Sequence, residues 1–358
     1  MSHFGGVYAG RRVLVTGHTG FKGSWMAEWL RRLGAYVSGF ALPPVGPDTH
    51  RDLLRGTVEE NLADIRDLAA VEDWIYRVRP EIVFHLAAQP LVRRSYRDPL
   101  ETWSTNVLGT ANLLQACAAC DSVRAIVVVT TDKCYENREW HWGYREADPL
   151  GGSDPYSASK AACEILVSSW RRSFLSDAQA PLLASARAGN VIGGGDWSED
   201  RLVPDLARAV RIGEQLTIRS PKATRPWQHV LESLSGYLQL GSGLFLGDRR
   251  CAEAWNFGPT EDGNRTVEDV LGMLRATWPG VSWEVTGVQG PKESMLLHLD
   301  CSKARAILGW EPVWSLDEGL AMTSAWYRAF LENGEVMTRS QIERYENDAV
   351  ARGAIWAR

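Results

Sequence analysis

The chain has 358 residues, 45% of them hydrophobic and 23% charged, with a formal net charge of −5. That length suits one large α/β domain with a smaller lobe, and the balance is that of an ordinary soluble protein with no basic stripe for nucleic acid. No apolar run approaches the roughly 20 residues that cross a bilayer, and the first ten residues lack the charged start and apolar stretch of a signal peptide, so a cytoplasmic protein without a membrane partner is expected.

In chain order, Arg12–Thr16 reads as a strand and Ser24–Leu33 as a helix with Trp25, Met26, Trp29, Leu30 and Leu33 on one stripe, stopped by Gly34. Tyr36–Ala41 is a second strand, Asp67–Val78 a helix ended before Pro80, and Glu81–Ala88 contains a third strand. Pro99–Ala119 is predicted as one long helix, Ala125–Thr131 as a strand, Tyr156–Phe174 as a helix and Leu182–Ala188 as a strand. Uninterrupted Val/Ile/Leu strands between helices imply a parallel sheet covered on both faces. After Asn190 the pattern changes: a Gly193–Trp197 loop, a helix at Val203–Ile212, irregular segments rich in Pro, Trp and Gly, a returning strand at Trp255–Gly258, and terminal helices at Leu299–Trp310 and Leu316–Phe330. The expected fold is α/β, a doubly wound parallel Rossmann sheet with a smaller interleaved C-terminal substrate lobe. Residues 1–190, with a returning segment at about 228–258, form the first unit; 191–227 and 259–358 form the lobe. Cys117 and Cys120 have zinc-like spacing but no answering pair, and read as reduced thiols on a helix, so no metal is expected.

Three motifs carry chemistry. Thr16-Gly17-His18-Thr19-Gly20-Phe21-Lys22-Gly23 follows the apolar Val13-Leu14-Val15 and opens a helix. Gly17, Gly20 and Gly23 provide a tight turn, close backbone approach to a diphosphate and close helix–strand packing, with the helix start facing the anion. His18, Phe21 and Lys22 share that loop and are expected beside the phosphates of a dinucleotide. The second strand ends Phe40-Ala41-Leu42, without the acidic residue that grips an NAD ribose and without an arginine for NADP. Asp64, followed by Ile65, reads either as an adenine contact or as a solvated loop acid. Leu86, Ala87 and Ala88 end the third strand at the sheet's carboxyl edge and leave room for a cofactor; His85 before them reads as ligand-side or core. Tyr156 and Lys160 lie one turn apart on a helix. A tyrosine ionises near pH ~10, and a neighbouring ammonium and a nicotinium are expected to lower that. Thr131, Asp132 and Lys133 close the preceding strand.

These residues resemble the extended short-chain dehydrogenase/reductase superfamily, and within it the sugar-nucleotide 4,6-dehydratases. The resemblance covers nearly the whole chain. It rests on the glycine loop through Trp25, on His85-Leu86-Ala87-Ala88-Gln89-Pro90-Leu91-Val92-Arg93, on Thr131-Asp132-Lys133-Cys134-Tyr135-Glu136-Asn137, on Gly193-Gly194-Gly195-Asp196-Trp197 and on Arg225-Pro226-Trp227-Gln228-His229-Val230. It implies NAD as cofactor, CDP-D-glucose as substrate, loss of water to a 4-dehydro-6-deoxy sugar, and a homodimer or tetramer formed through the helices near 99–119 and 156–174. Tyr156, supported by Lys160, would take the C4 hydroxyl proton; Thr131 would bond the same hydroxyl; Asp132 matches the general acid. Many relatives carry a glutamate next, as C5 base, where this chain has Lys133. Lys133 is assigned the task, with Tyr156 or another group as rival. Arg225, then Arg305, are expected to fork onto the diphosphate, with Asn190 and Gln89 beside the substrate. Asn106 either orders the Tyr156–Lys160 surroundings or bonds a backbone carbonyl. Other readings are a nucleotide-sugar C4 epimerase, a dehydratase of another nucleotide-glucose, and a silent nucleotide-binding scaffold, which intact Tyr156, Lys160 and Asp132 disfavour.

Overall fold

The computed structural model describes residues 3–46, 48–54, 58–286 and 296–358; part of the expected 259–358 segment thus lies outside the described residues. Its strands in chain order are β1 (Arg12–Thr16), β2 (Tyr36–Ala41), β3 (Glu59–Leu62), β4 (Ile82–His85), β5 (Ala125–Val129), β6 (Leu182–Ala188), β7 (Asn190–Ile192), β8 (Leu216–Ile218), β9 (Thr224–His229), β10 (Ala254–Phe257), β11 (Asn264–Thr266) and β12 (Trp283–Val285). Seven form one sheet in the order β10-β6-β5-β4-β1-β2-β3, with every neighbour parallel. This is the doubly wound, Rossmann-like sheet that the alternation predicts. All residues of β5 and β6 are buried, as strands covered on both faces must be. The chain runs outward from β1 in both directions, so the sheet reverses its winding there and opens a crevice at the carboxyl ends of its strands.

One face carries the helices Phe21–Arg32 and Val230–Phe245, whose Trp25, Trp29, Leu234 and Leu238 join a large core. The other carries Leu68–Val78, Gly109–Ala118 and Pro155–Ser173, with Trp74, Leu113 and Val167 in a second core. Two small sheets, β11-β9-β7 and β12-β8, stand beyond the carboxyl edge.

Several expectations are corrected. The first helix starts at Phe21, three residues early, because Gly20 takes the N-cap in extended conformation. The stretch beyond residue 212 is not wholly irregular: Val230–Phe245 is a buried helix. The predicted helix Leu299–Trp310 is helical only over 302–308, with a π-type turn at Ala304–Leu308 closed by Gly309 at φ 63°. The long helix from Pro99 contains a π turn, Ser104–Leu108, between Pro99–Trp103 and Gly109–Ala118. β3 and the helix Thr338–Ala351 had no counterpart in the reading of the sequence.

Candidate active site

A cavity of about 1240 Å³ follows the carboxyl edge of the sheet and is walled on its far side by β7, β8 and the helix Leu202–Ile212. Gly17, Gly20, Phe21, Lys22, Gly23, Asp64, Ile65, Leu86, Ala87 and Ala88 line one part of it. The glycines differ in need. Gly17 has φ +73°, and a Cβ there would sit 2.7 Å from the Ala87 nitrogen. A Cβ on Gly23 would sit 2.1 Å from the Gly17 carbonyl oxygen. Gly20 leaves the cavity floor open; the nearest atom to its missing Cβ is the Gly17 oxygen at 3.3 Å. Because Gly20 caps the helix without a side chain, the first-turn N–H groups are left for an anion. These residues therefore fit a dinucleotide diphosphate.

Lys22 lines the same cavity, its ammonium 3.5 Å from the Tyr237 hydroxyl and 5.8 Å from the centre of that ring. Burial, then the charge of Arg201, push its pKa down to about 7. His18 does not face the phosphates as expected. Its ring lies against β2, where a Cβ on Gly39 would meet it at 2.5 Å, and its Nε2 is 2.8 Å from Glu60 Oε2. Burial lowers its pKa. Asp64 reaches the cavity but is held by the Arg66 guanidinium, Nε to Oδ2 at 2.9 Å, which keeps its carboxyl below the usual range. His85 is a core residue, bonded to Thr16 Oγ1 at 2.7 Å and Thr110 Oγ1 at 3.0 Å; burial pushes its pKa down to about 3, so it is neutral.

Thr131, Asp132, Lys133, Tyr156 and Lys160 all line the cavity. The helix Pro155–Ser173 starts from Asp154, whose carboxylate accepts the Ser157 N–H at 2.9 Å, and this sets Tyr156 and Lys160 on the inner face. Thr131 bonds the Tyr156 hydroxyl and donates to Asp132 Oδ1 at 3.0 Å. The expected lowered phenol is not found in the protein alone. Burial pushes Tyr156 up to about 12, and Lys160 donates instead to the Val129 carbonyl at 3.3 Å. Burial also lowers the Lys160 pKa. Asp132 is 2% exposed, its Oδ2 has no partner among the described residues, and burial raises its pKa against the pull of Lys133. It is thus a carboxyl held towards its neutral, proton-donating form.

Asn190 and Arg225 line the far part of the cavity; Arg225 is buried, with Nη1 donating to the Thr224 carbonyl at 2.9 Å. Trp227 is buried too, its Nε1 donating to the Arg265 carbonyl at 3.0 Å. Gln89, Asn106 and Arg305 are not brought to the wall. Gln89 Nε2 donates to Thr102 Oγ1 at 2.8 Å. Asn106, in the π turn, donates to the Gln89 carbonyl at 3.1 Å and to Ser159 Oγ at 2.9 Å. Arg305 is exposed on the turn after β12. Arg93 and Arg201, not singled out in the sequence, do line the cavity. Arg93 pairs with Asp200 at 2.6 Å across it, and Arg201 with Asp196 at 3.4 Å. Arg93 closes the segment from His85 to Arg93 and so has a signal in the sequence, whereas Arg201 stands in no motif.

The NAD dependent epimerase/dehydratase family matches residues 13–241. A CDP-glucose 4,6-dehydratase of Salmonella typhimurium is 46% identical over 343 residues, 94% of this chain and 96% of that protein. Among solved structures, a dTDP-glucose 4,6-dehydratase from Streptomyces venezuelae with NAD bound superposes with a TM-score of 0.77 at 26% identity, covering 93% of this chain and 99% of the other. A UDP-glucose 4-epimerase from Thermus thermophilus, complexed with NAD, gives 0.76 at 28% identity, covering 88% and 99%.

Proposed function

Since this chain belongs to the NAD dependent epimerase/dehydratase family, we propose that it is a lyase that converts CDP-D-glucose to CDP-4-dehydro-6-deoxy-D-glucose and water. The observation that carries this reading is Asp132: a buried carboxyl whose Oδ2 has no partner among the described residues, linked through Thr131 to Tyr156 inside the cavity that also holds the glycine cradle. An epimerase needs no proton donor at C6. The near-half identity to a CDP-glucose enzyme over almost the full length supports the choice of nucleotide.

Gly17, Gly20, Gly23 and the helix start would hold the cofactor diphosphate, Asp64 and Ile65 its adenosine, and Leu86–Ala88 with Tyr156 and Lys160 its nicotinamide. Bound NAD supplies a reversible hydride relay from C4 to C6 of the sugar, so it is regenerated in each turnover. Tyr156 takes the C4 hydroxyl proton, with Thr131 orienting that hydroxyl. Burial, more than any other cause, opposes the phenolate, so Tyr156 needs cationic help; Arg201 already lowers its pKa, and Lys160 stands one helical turn on. The C4 ketone acidifies C5–H; Lys133 takes that proton, Asp132 protonates the departing C6 hydroxyl, which leaves as water, and Lys133 returns its proton to C5 as the hydride reaches C6. Arg225 and Asn190 hold the substrate's diphosphate and sugar. The first 190 residues with 228–258 serve the cofactor, and 191–227 with 259–358 the substrate.

The protein works in the cytoplasm as a homodimer or tetramer. Exposed Leu100, Trp103 and Leu108, with Ile165 on the helix Pro155–Ser173, support such an interface. No helix of the described residues is long and apolar enough to cross a membrane.

The test is incubation with CDP-, dTDP-, GDP- and UDP-glucose, with and without added NAD, followed by alkali. A 4-keto absorbance with CDP-D-glucose is expected. CDP-galactose without that absorbance would mean epimerisation, and turnover of another nucleotide alone would move the substrate.

A further inference from the structure

Behind the turn that bears Thr131, Asp132 and Lys133 lies a buried ion pair used by no step above. Glu164 follows Lys160 by one helical turn, and Arg187 stands on β6. Arg187 Nη2 donates to Glu164 Oε2 at 2.7 Å, the two side chains 3% and 2% exposed. Glu164 also accepts from Thr130 Oγ1 at 2.5 Å and from Ser185 Oγ at 2.7 Å. Arg187 Nη1 donates to the Tyr135 hydroxyl at 2.7 Å, which in turn donates to Asn256 Oδ1 at 2.7 Å. Thr130 and Tyr135 bracket the turn, so both of its flanks are tied to one ion pair.

A pair this deep is a poor source of stability. Desolvating each ion costs several kcal/mol, and Arg187 Nε has no partner among the described residues, which adds to that cost. What the pair does provide is geometry: three directional bonds, Thr130 to Glu164, Arg187 to Glu164 and Arg187 to Tyr135, join the helix of Tyr156 and Lys160 to both ends of the turn. Its carboxylate also favours the ammonium form of Lys160. Neither residue lines the cavity.

We propose that Glu164 and Arg187 are positioning residues, which clamp the Thr131–Lys133 turn against the Tyr156 helix so that Asp132 and Tyr156 reach C6 and C4 of the same bound sugar. This rests on the dehydratase reading. The test compares wild type, Tyr135→Phe, and the double variant Glu164→Gln/Arg187→Met, which removes both charges together and so strands neither. Melting temperature is measured on each. Amide hydrogen exchange at Lys133, Cys134 and Tyr135 is followed in the cofactor-free protein, and kcat and KM with CDP-D-glucose.

In both variants, exchange at the turn is expected to rise about tenfold or more. kcat should fall roughly 10- to 100-fold, as a misplacement of about 1 Å does, with KM near wild type and the protein still fully folded at the assay temperature. Unchanged kcat, unchanged exchange, or a kcat loss that only follows the unfolded fraction overturns the clamp. If the double variant does not fold, Tyr135→Phe alone decides by the same criteria. Absence of turnover by wild type sinks the dehydratase reading instead, and the exchange measurement still decides whether the pair holds the turn.

Discussion

As the general acid of the proposed reaction, Asp132 would offer its proton only while neutral. Burial raises its pKa, so the acid is competent below that raised value and is lost as pH rises through it. Asp132→Asn is expected to lower kcat by about 10²-fold or more, with little change in KM, and to remove the alkaline limb that Asp132 contributes to the pH–rate profile. An unchanged profile would take Asp132 out of the mechanism. Tyr156→Phe should abolish turnover and leave substrate binding near normal by calorimetry. Gly17→Ala tests the cradle without touching any proton. Its positive φ costs an L residue about 1–2 kcal/mol, and the added carbon must also displace the Ala87 backbone. Denaturant unfolding should show at least that loss, together with weakened NAD binding.

The π turn Ser104–Leu108 is the element whose failure should be felt furthest. Asn106 accepts the Gln89 N–H at 2.8 Å and donates to Ser159, joining the segment after β4 to the Tyr156 helix. Asn106→Ala strands a buried N–H, at about 1–3 kcal/mol, and its urea midpoint should fall accordingly; a midpoint equal to wild type would mean water replaces the amide. Elements with a clear period were legible: β1, β2 and β6 lie where Val, Ile, Leu and Ala cluster between helix stops. β3 was not, because Glu59-Glu60-Asn61-Leu62 carries no apolar alternation and owes its place to register with β2. The helix Val230–Phe245 was hidden for the opposite reason: with 14 of its 16 residues buried, no polar face marks the turn of the helix, and its glycines suggest loop. In the site, spacing put the glycines, Tyr156, Lys160 and Thr131–Lys133 together. It could not tell that His18 would lie on Gly39 or that Arg201 would reach the cavity, since both depend on contacts between distant segments.

Across the molecule, Glu232 joins the helix on the sheet to the last third of the chain. It accepts the Val313 and Trp314 N–H groups, each at 2.8 Å, and the Tyr345 hydroxyl at 2.7 Å. Burial nevertheless pushes its pKa up from 4.5 to about 7. A carboxyl raised on folding adds stability that is complete below the unfolded value and is lost as pH rises through the folded one. The melting temperature should therefore decline between pH ~5 and ~8, and Glu232→Gln should flatten that decline; an equal slope in both proteins would assign it elsewhere. With Lys22 beside the cofactor diphosphate, as the sequence motif implies, its ammonium links pH to ligand capture in the same sense. A resting pKa of about 7 leaves it largely uncharged in mildly alkaline buffer, and an arriving diphosphate would draw a hydrogen ion onto it from the medium. Calorimetric titrations in buffers of unlike ionisation heat should register that uptake, and dinucleotide affinity should slacken with each step towards higher alkalinity.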